Sequence, residues 1–134
     1  MREGGCQCGN LRYECAERPL KIYVCHCREC RKQSASEFGV SFFVPKASFR
    51  VTRGTPRIWR RTADSGHILD CAFCPDCGTR GWHANSASPD MLSIKAGSLD
   101  ELVDLSQATH IWTSRKLLGV VIPSGTQQFP EEPA

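Results

Sequence analysis

The sequence predicts a mainly β fold, built of several small antiparallel sheets whose ends are pinned by metal-binding knuckles. Three observations predict it. Apolar and polar residues alternate over short runs such as Leu11-Arg12-Tyr13-Glu14-Cys15, the period of a half-buried strand. Gly, Pro and Ser interrupt the chain too often for long helices. Most of the nine cysteines fall into three tight clusters. At 134 residues, residues 1–134 read as one domain, large enough for metal to supplement a hydrophobic core rather than replace it.

Taken in order, Leu11–Cys15 is the first strand expected, and Leu20, Ile22 and Val24 continue the alternation into Cys25. Arg28–Ser36 is polar and short enough for at most two helical turns. Phe38–Val44 reads as an aromatic, β-branched strand stopped by Pro45. Short strands then follow at hairpin spacing: Phe49–Thr52 before a turn at Arg53-Gly54, Arg57–Arg60 before a turn near Ser65-Gly66, and Ile68–Phe73. Met91–Ala96 is a further strand closed by Gly97. Ser98-Leu99-Asp100-Glu101 has the form of a capping box, with Ser98 at the N-cap of one brief helix. Thr109–Trp112 and Gly119–Ile122 are the late strands expected, and residues 124–134 are expected to be a loose tail.

Composition narrows the function. A net charge of +3 is too mild to indicate a nucleic-acid partner without a motif. No apolar run approaches the roughly 18 residues of a membrane span. Met1-Arg2-Glu3-Gly4-Gly5 lacks the apolar core of a signal peptide. Clustered thiols without an export signal point to the reducing cytoplasm, where they bind metal or do redox chemistry. Phosphate loops, dinucleotide fingerprints and a Ser-His-Asp order are absent from the sequence. The arginines Arg50, Arg53, Arg57, Arg60 and Arg61 are spaced as the solvent face of a hairpin. Trp59, Trp82, Trp112, Phe42 and Phe43 read as core or pocket wall.

The cysteine clusters divide as four plus three. Cys6-x-Cys8 and Cys74-x2-Cys77 would together close a tetrahedral zinc site that ties the first strands to a late hairpin. Gly9 and Gly78 follow the last cysteine of each pair and permit the tight turn that aims backbone N–H groups at sulfur. The rival reading of Cys74-Pro75-Asp76-Cys77 is a redox dithiol. Cys25-x-Cys27-x2-Cys30 supplies three thiolates, which leave zinc one open position. Three thiolates weaken the metal as a Lewis acid, so such a site suits the activation of a guest thiol better than of water. Arg28, Arg31 and Lys32 stand ready to offset the negative charge or grip a carboxylate on that thiol. The sequence leaves open whether His26, Cys71 or Cys15 closes this site. Cys71-x2-Cys74-x2-Cys77 is itself a ligand-like series, and eight thiolates would make two closed sites. Cys15 shares the apolar side of Leu11 and Tyr13 and reads as a buried small hydrophobe. His67, His83 and His110 read as structural rather than acid–base groups.

Gly5-Cys6-Gln7-Cys8-Gly9, Cys25-His26-Cys27-Arg28-Glu29-Cys30-Arg31-Lys32 and Phe73-Cys74-Pro75-Asp76-Cys77-Gly78-Thr79 resemble the signature of the glutathione-dependent formaldehyde-activating enzyme family, also called centromere-protein-V-like. Ala96-Gly97-Ser98-Leu99-Asp100 and Thr109-His110-Ile111-Trp112 extend the resemblance, which runs from about Gly4 to Phe129. It implies an Mss4-like, mainly β fold with two zinc ions. Cys6, Cys8, Cys74 and Cys77 would hold a structural ion, and Cys25, Cys27 and Cys30 a catalytic one. The implied reaction is that of a carbon–sulfur lyase, joining glutathione to formaldehyde as S-(hydroxymethyl)glutathione. Two departures bear on the pocket: Ser34-Ala35-Ser36 where the family often has Ser-Gly, and Lys116-Leu117-Leu118-Gly119 where an aromatic residue is common. The rival functions are a non-catalytic zinc module for a protein partner and a dithiol redox protein. Neither a nucleic acid nor a membrane is expected as partner, and the sequence does not specify an oligomeric state.

Overall fold

A computed structural model describes residues 1–17 and 20–133. The described residues form ten strands and one α-helix: β1 (Arg2–Gly5), β2 (Arg12–Cys15), β3 (Tyr23–Cys25), α1 (Arg28–Ser34), β4 (Gly39–Pro45), β5 (Phe49–Arg53), β6 (Arg57–Thr62), β7 (Ile68–Phe73), β8 (Arg80–Asn85), β9 (Met91–Lys95) and β10 (Thr109–Ile111). The fold is mainly β. Strands β1-β2-β5 make a three-stranded sheet, and β10-β3-β4-β9-β8-β7-β6 make a seven-stranded one. Pairing is antiparallel except between β3 and β10, which run parallel. No helix among the described residues is long and apolar enough to cross a membrane.

Alternation along the strands divides the larger sheet into two faces, because successive side chains point to opposite sides. Register pairs Val44 with Leu92 and Phe42 with Ile94, and Ile94 in turn with Trp82. All five are buried and belong to one hydrophobic core. The smaller sheet packs onto this face. Tyr13 stacks on Phe49 at 5.3 Å between ring centroids, and Phe49 meets Trp82 at 4.7 Å. Cys15 is fully buried in the same cluster, as its place beside Leu11 and Tyr13 predicts. The intervening residues Ser41, Lys95, Ser93, His83 and Cys71 alternate onto the opposite face.

Several expectations need correction. Ser98 does not cap a helix: it ends a 3₁₀ turn, Ala96–Ser98. Its hydroxyl donates to the Lys95 carbonyl at 2.7 Å and meets the Tyr13 hydroxyl at 2.7 Å, while Glu101 pairs with Arg2. Both ends of the expected capping box are therefore drawn into other contacts. Gly119–Ile122 forms no strand. Gly119 has φ +91°, and the Val120 N–H closes a turn onto the Leu117 carbonyl at 3.2 Å.

The tail makes backbone contacts with β10. His110 N–H donates to the Gln127 carbonyl at 2.9 Å, and Phe129 N–H returns to the His110 carbonyl at 2.9 Å. Strand β10 lies at an edge of the large sheet, and the tail covers its unpaired backbone. Strands β1 and β8 have no counterpart in the alternation of the sequence: β1 is Gly-rich, and the buried run Gly81, Trp82 and His83 in β8 hides the period-2 signal.

One glycine is required where the turn after β5 passes the first cysteine loop. Gly54 has φ +79°, and a Cβ there would lie 2.1 Å from the Asn10 carbonyl oxygen. Gly66 has φ +90° but faces open space. An alanine pays the left-handed penalty of about 1–2 kcal/mol at either site. We therefore expect Gly54→Ala to lose at least about 1 kcal/mol more than Gly66→Ala in urea unfolding, because it adds a steric clash. Equal losses would show that the Asn10 loop moves aside freely.

Candidate functional site

The cysteines converge as two groups. The sulfurs of Cys6, Cys8, Cys74 and Cys77 lie within 4.8 Å of one another, as do those of Cys25, Cys27 and Cys30. All are free thiols. In the first group Cys6 and Cys8 are 3.6 Å apart, and Cys8 and Cys74 are 3.8 Å apart. Four sulfurs at about 2.3 Å from a metal ion would stand about 3.8 Å from each other. The spacing therefore fits a tetrahedral ion, and each group could hold one.

The first group is assembled by two turns. Cys6 N–H donates to the Leu11 carbonyl and Gly9 N–H to that of Cys6, and the Leu11 N–H points at Cys6 Sγ, 3.2 Å away. Gly78 N–H closes the second turn onto the Cys74 carbonyl at 2.9 Å. Gly9 and Gly78 both adopt positive φ, +83° and +81°, the role their positions suggest. The hydroxyl of Thr79, 3.3 Å from Cys77 Sγ, together with its backbone N–H, brings the Cys77 thiol down to about 5. Cys74 and Cys77 thus belong to a four-sulfur group with Cys6 and Cys8 rather than to an isolated dithiol.

The second group sits where β3 meets α1. Cys25 pairs with Gly39 across β3 and β4. A Cβ on Gly39 would approach Cys30 Cβ to 3.1 Å, so the missing side chain lets β4 pass close to the site. Cys27 is the N-cap of α1, and its sulfur accepts the Cys30 N–H at 3.3 Å. Neighbouring Cys25 and Cys30 thiols and then the Cys30 N–H hold the Cys27 thiol far below its usual range, while Cys27 and Cys30 push Cys25 up.

His26 does not join this group. It turns to the other side of the chain from Cys25 and Cys27, is fully buried, and places Nε2 2.9 Å from His110 Nδ1. Burial is the main cause that holds both imidazoles below their usual range. Cys71 also stands outside both sulfur sets among the described residues. It is three residues before Cys74 along an extended segment, and an odd spacing sends the two side chains to opposite faces. The ligand-like series through Cys71 is therefore divided by strand geometry.

Of the basic residues beside the cluster, Arg31 is committed to structure: Nη1 donates to the carbonyls of His26 and Arg115, both at 2.8 Å. Arg28 and Lys32 are exposed and line a hollow of about 580 Å³ with Arg31. A larger cavity of about 830 Å³ lies beside both sulfur groups, touching Cys6 of the first and Gly39, next to Cys30, of the second. Its cationic residues are Arg12, Arg80 and Lys95, none of which lies near Cys25–Cys30 in the sequence. Burial pushes the Lys95 ammonium down, and the nearby thiols of Cys30, Cys71 and Cys25 draw it partly back up. Lys95 thus shares the electrostatic environment of the second group.

Two outcomes test this geometry. Ala35 ends α1 in the left-handed region, φ 50° and ψ 42°, which glycine adopts at less cost. Ala35→Gly should stabilise the protein by about 1 kcal/mol in urea unfolding, and no gain would mean that the loop relaxes around alanine. In metal-loaded protein, a thiol reagent should leave the seven grouped cysteines largely unmodified until a strong chelator is added. Full reactivity without chelator would contradict metal ligation.

The model of the family described as glutathione-dependent formaldehyde-activating enzyme matches residues 1–115. Among solved structures, a Rhodobacter sphaeroides protein determined in a structural-genomics programme superposes with a TM-score of 0.65. It is 19% identical, with 81% of this chain and 98% of that one covered, and the likeness carries the fold alone. The match over residues 1–115, with seven thiols gathered as two groups, places this chain in the glutathione-dependent formaldehyde-activating enzyme family.

Proposed function

We propose that the chain is a zinc-dependent carbon–sulfur lyase that joins a low-molecular-weight thiol such as glutathione to formaldehyde, and runs the reverse reaction. The observation that carries this reading is the convergence of Cys25, Cys27 and Cys30 without a fourth protein ligand among the described residues, beside a cavity of small-molecule size. Cys6, Cys8, Cys74 and Cys77 would hold a structural ion. Its role is to fasten the first cysteine loop to the turn between β7 and β8.

Zinc at the three-sulfur group would supply a position at which a guest thiol ionises near neutral pH. The reaction needs no oxidant or reductant. A sulfur electron pair forms the S–C bond, the carbonyl π pair moves to oxygen, and the thiol proton ends on that oxygen. The chain's own residues set the conditions for it. The Cys30 N–H holds Cys27 Sγ in place, Gly39 clears space beside Cys30, and Lys95 offers positive charge to a sulfur-rich site. Arg28 and Lys32, with Arg31 anchored behind them, are candidates to meet an anionic substrate on approach.

The test follows hydroxymethyl exchange between glutathione and formaldehyde by NMR on zinc-loaded protein. Wild type should exceed buffer, and Cys27→Ser should lose about 100-fold or more of that excess, the scale of a lost catalytic group. Equal exchange with wild type, Cys27→Ser and buffer would remove the enzymatic reading.

A further inference from the structure

The charges around the larger cavity are unevenly matched. Arg12 is held there by Asp100 in a two-pronged pair. Arg80 and Lys95 line the same cavity, yet among the described residues the arginines within 4.0 Å of a carboxylate are Arg2, Arg12, Arg50, Arg60 and Arg61. Both unmatched cations are half-buried. A cation withdrawn from water with no carboxylate beside it is unfavourable; the sulfurs of Cys30, Cys71 and Cys25 answer Lys95 in part, and an anionic ligand would complete the match.

Strand geometry brings the two together. Arg80 opens β8 and Lys95 ends β9, two strands paired side by side. Arg80 is also held for a purpose other than an internal ion pair. Its Nη1 donates to His83 Nε2 at 3.3 Å, and its guanidinium lies 5.5 Å from the centroid of the Trp59 ring. Burial, then the charges of Lys95, Arg80 and Arg61, bring the His83 imidazole down to about 2. The ring therefore stays neutral and can accept from Arg80. These contacts, with a further hydrogen bond to the Cys71 thiol, occupy one face and part of a group with five donors, leaving other donors for a ligand.

We infer that Arg80 and Lys95 form the carboxylate-binding end of this cavity and select a thiol bearing an acid group over a neutral thiol. The inference rests on the reaction proposed above for the choice of ligand. Formaldehyde carries no charge, so the carboxylate must belong to the thiol. The planar fork of Arg80 suits the two oxygens of a carboxylate, and the Lys95 ammonium adds a point charge beside it. A cavity touching both sulfur groups has room for the rest of a peptide-like thiol while its acid end is held.

Calorimetry with S-methylglutathione tests this directly, since the probe keeps both carboxylates but has no thiol to deliver. Wild-type protein should bind it. Lys95→Met and Arg80→Met should each weaken binding at least tenfold, Lys95→Arg should stay within about threefold, and the diester of the probe, which has no carboxylate, should bind wild type at least tenfold more weakly. No binding to wild type, equal binding by both methionine variants, or equal binding of the diester overturns the inference. Should Lys95→Met fail to fold, Arg80→Met decides by the same criterion.

The hydroxymethyl exchange assay separates this inference from the reaction itself. Loss of probe binding in the variants without any exchange by wild type would uphold the anion site and remove the reaction. Exchange by wild type with probe binding unchanged in the variants would do the reverse.

Discussion

Thiolates a few ångströms apart repel one another, and a protein that gathers them needs positive charge at the same place. In the group of Cys25, Cys27 and Cys30, neighbouring thiols shift one another in opposite directions, Cys27 down and Cys25 up. Backbone N–H groups at Cys6 and Cys27 give partial compensation. A bound cation would offset much of that repulsion and turn a cluster of competing acids into a fixed set of ligands. Much of the local architecture serves that arrangement: positive-φ glycines after Cys8 and Cys77, the N-cap geometry of Cys27, and the missing side chain at Gly39.

The seven-stranded sheet separates stability from chemistry. On one face, Phe42, Val44, Trp82, Leu92 and Ile94 pack with Tyr13 and Phe49 into a conventional apolar core. The opposite face carries Lys95, Ser93, His83 and Cys71 and shares its environment with Cys25 and Cys30. Residues one apart in sequence thus serve different ends: Ile94 belongs to the core and Lys95 reaches the cavity. Polar groups on that second face are tolerated because they meet each other, as Arg80 meets His83, or meet the cavity.

The cysteine ligand sets could be read in the sequence because each pair or triplet is local, with spacing fixed by a single turn. Most strands could be read as well, since Leu11–Cys15 and Met91–Lys95 keep a clean alternation. β8 was hidden because Gly81, Trp82 and His83 are all buried, which erases the period. Ser98 and Glu101 matched a local helix signal, but Tyr13 and Arg2, distant in sequence, took their side chains. The same locality misdirects the eye toward Arg28, Arg31 and Lys32. Arg80 and Lys95 lie far from Cys25–Cys30 in the chain, and only strand pairing places them near the site. The exclusion of Cys71 likewise follows from strand alternation, which a ligand-spacing argument does not contain.

The central claim is that Cys25, Cys27 and Cys30 leave a metal ion able to take a sulfur from outside the chain. X-ray absorption at the zinc edge, on protein loaded with zinc in both groups, measures this directly. The account predicts an average of about 3.5 sulfurs per ion before a thiol is added and about 4 after saturation with glutathione. An average of about 4 before any thiol is present, or a spectrum unchanged by glutathione, would contradict it.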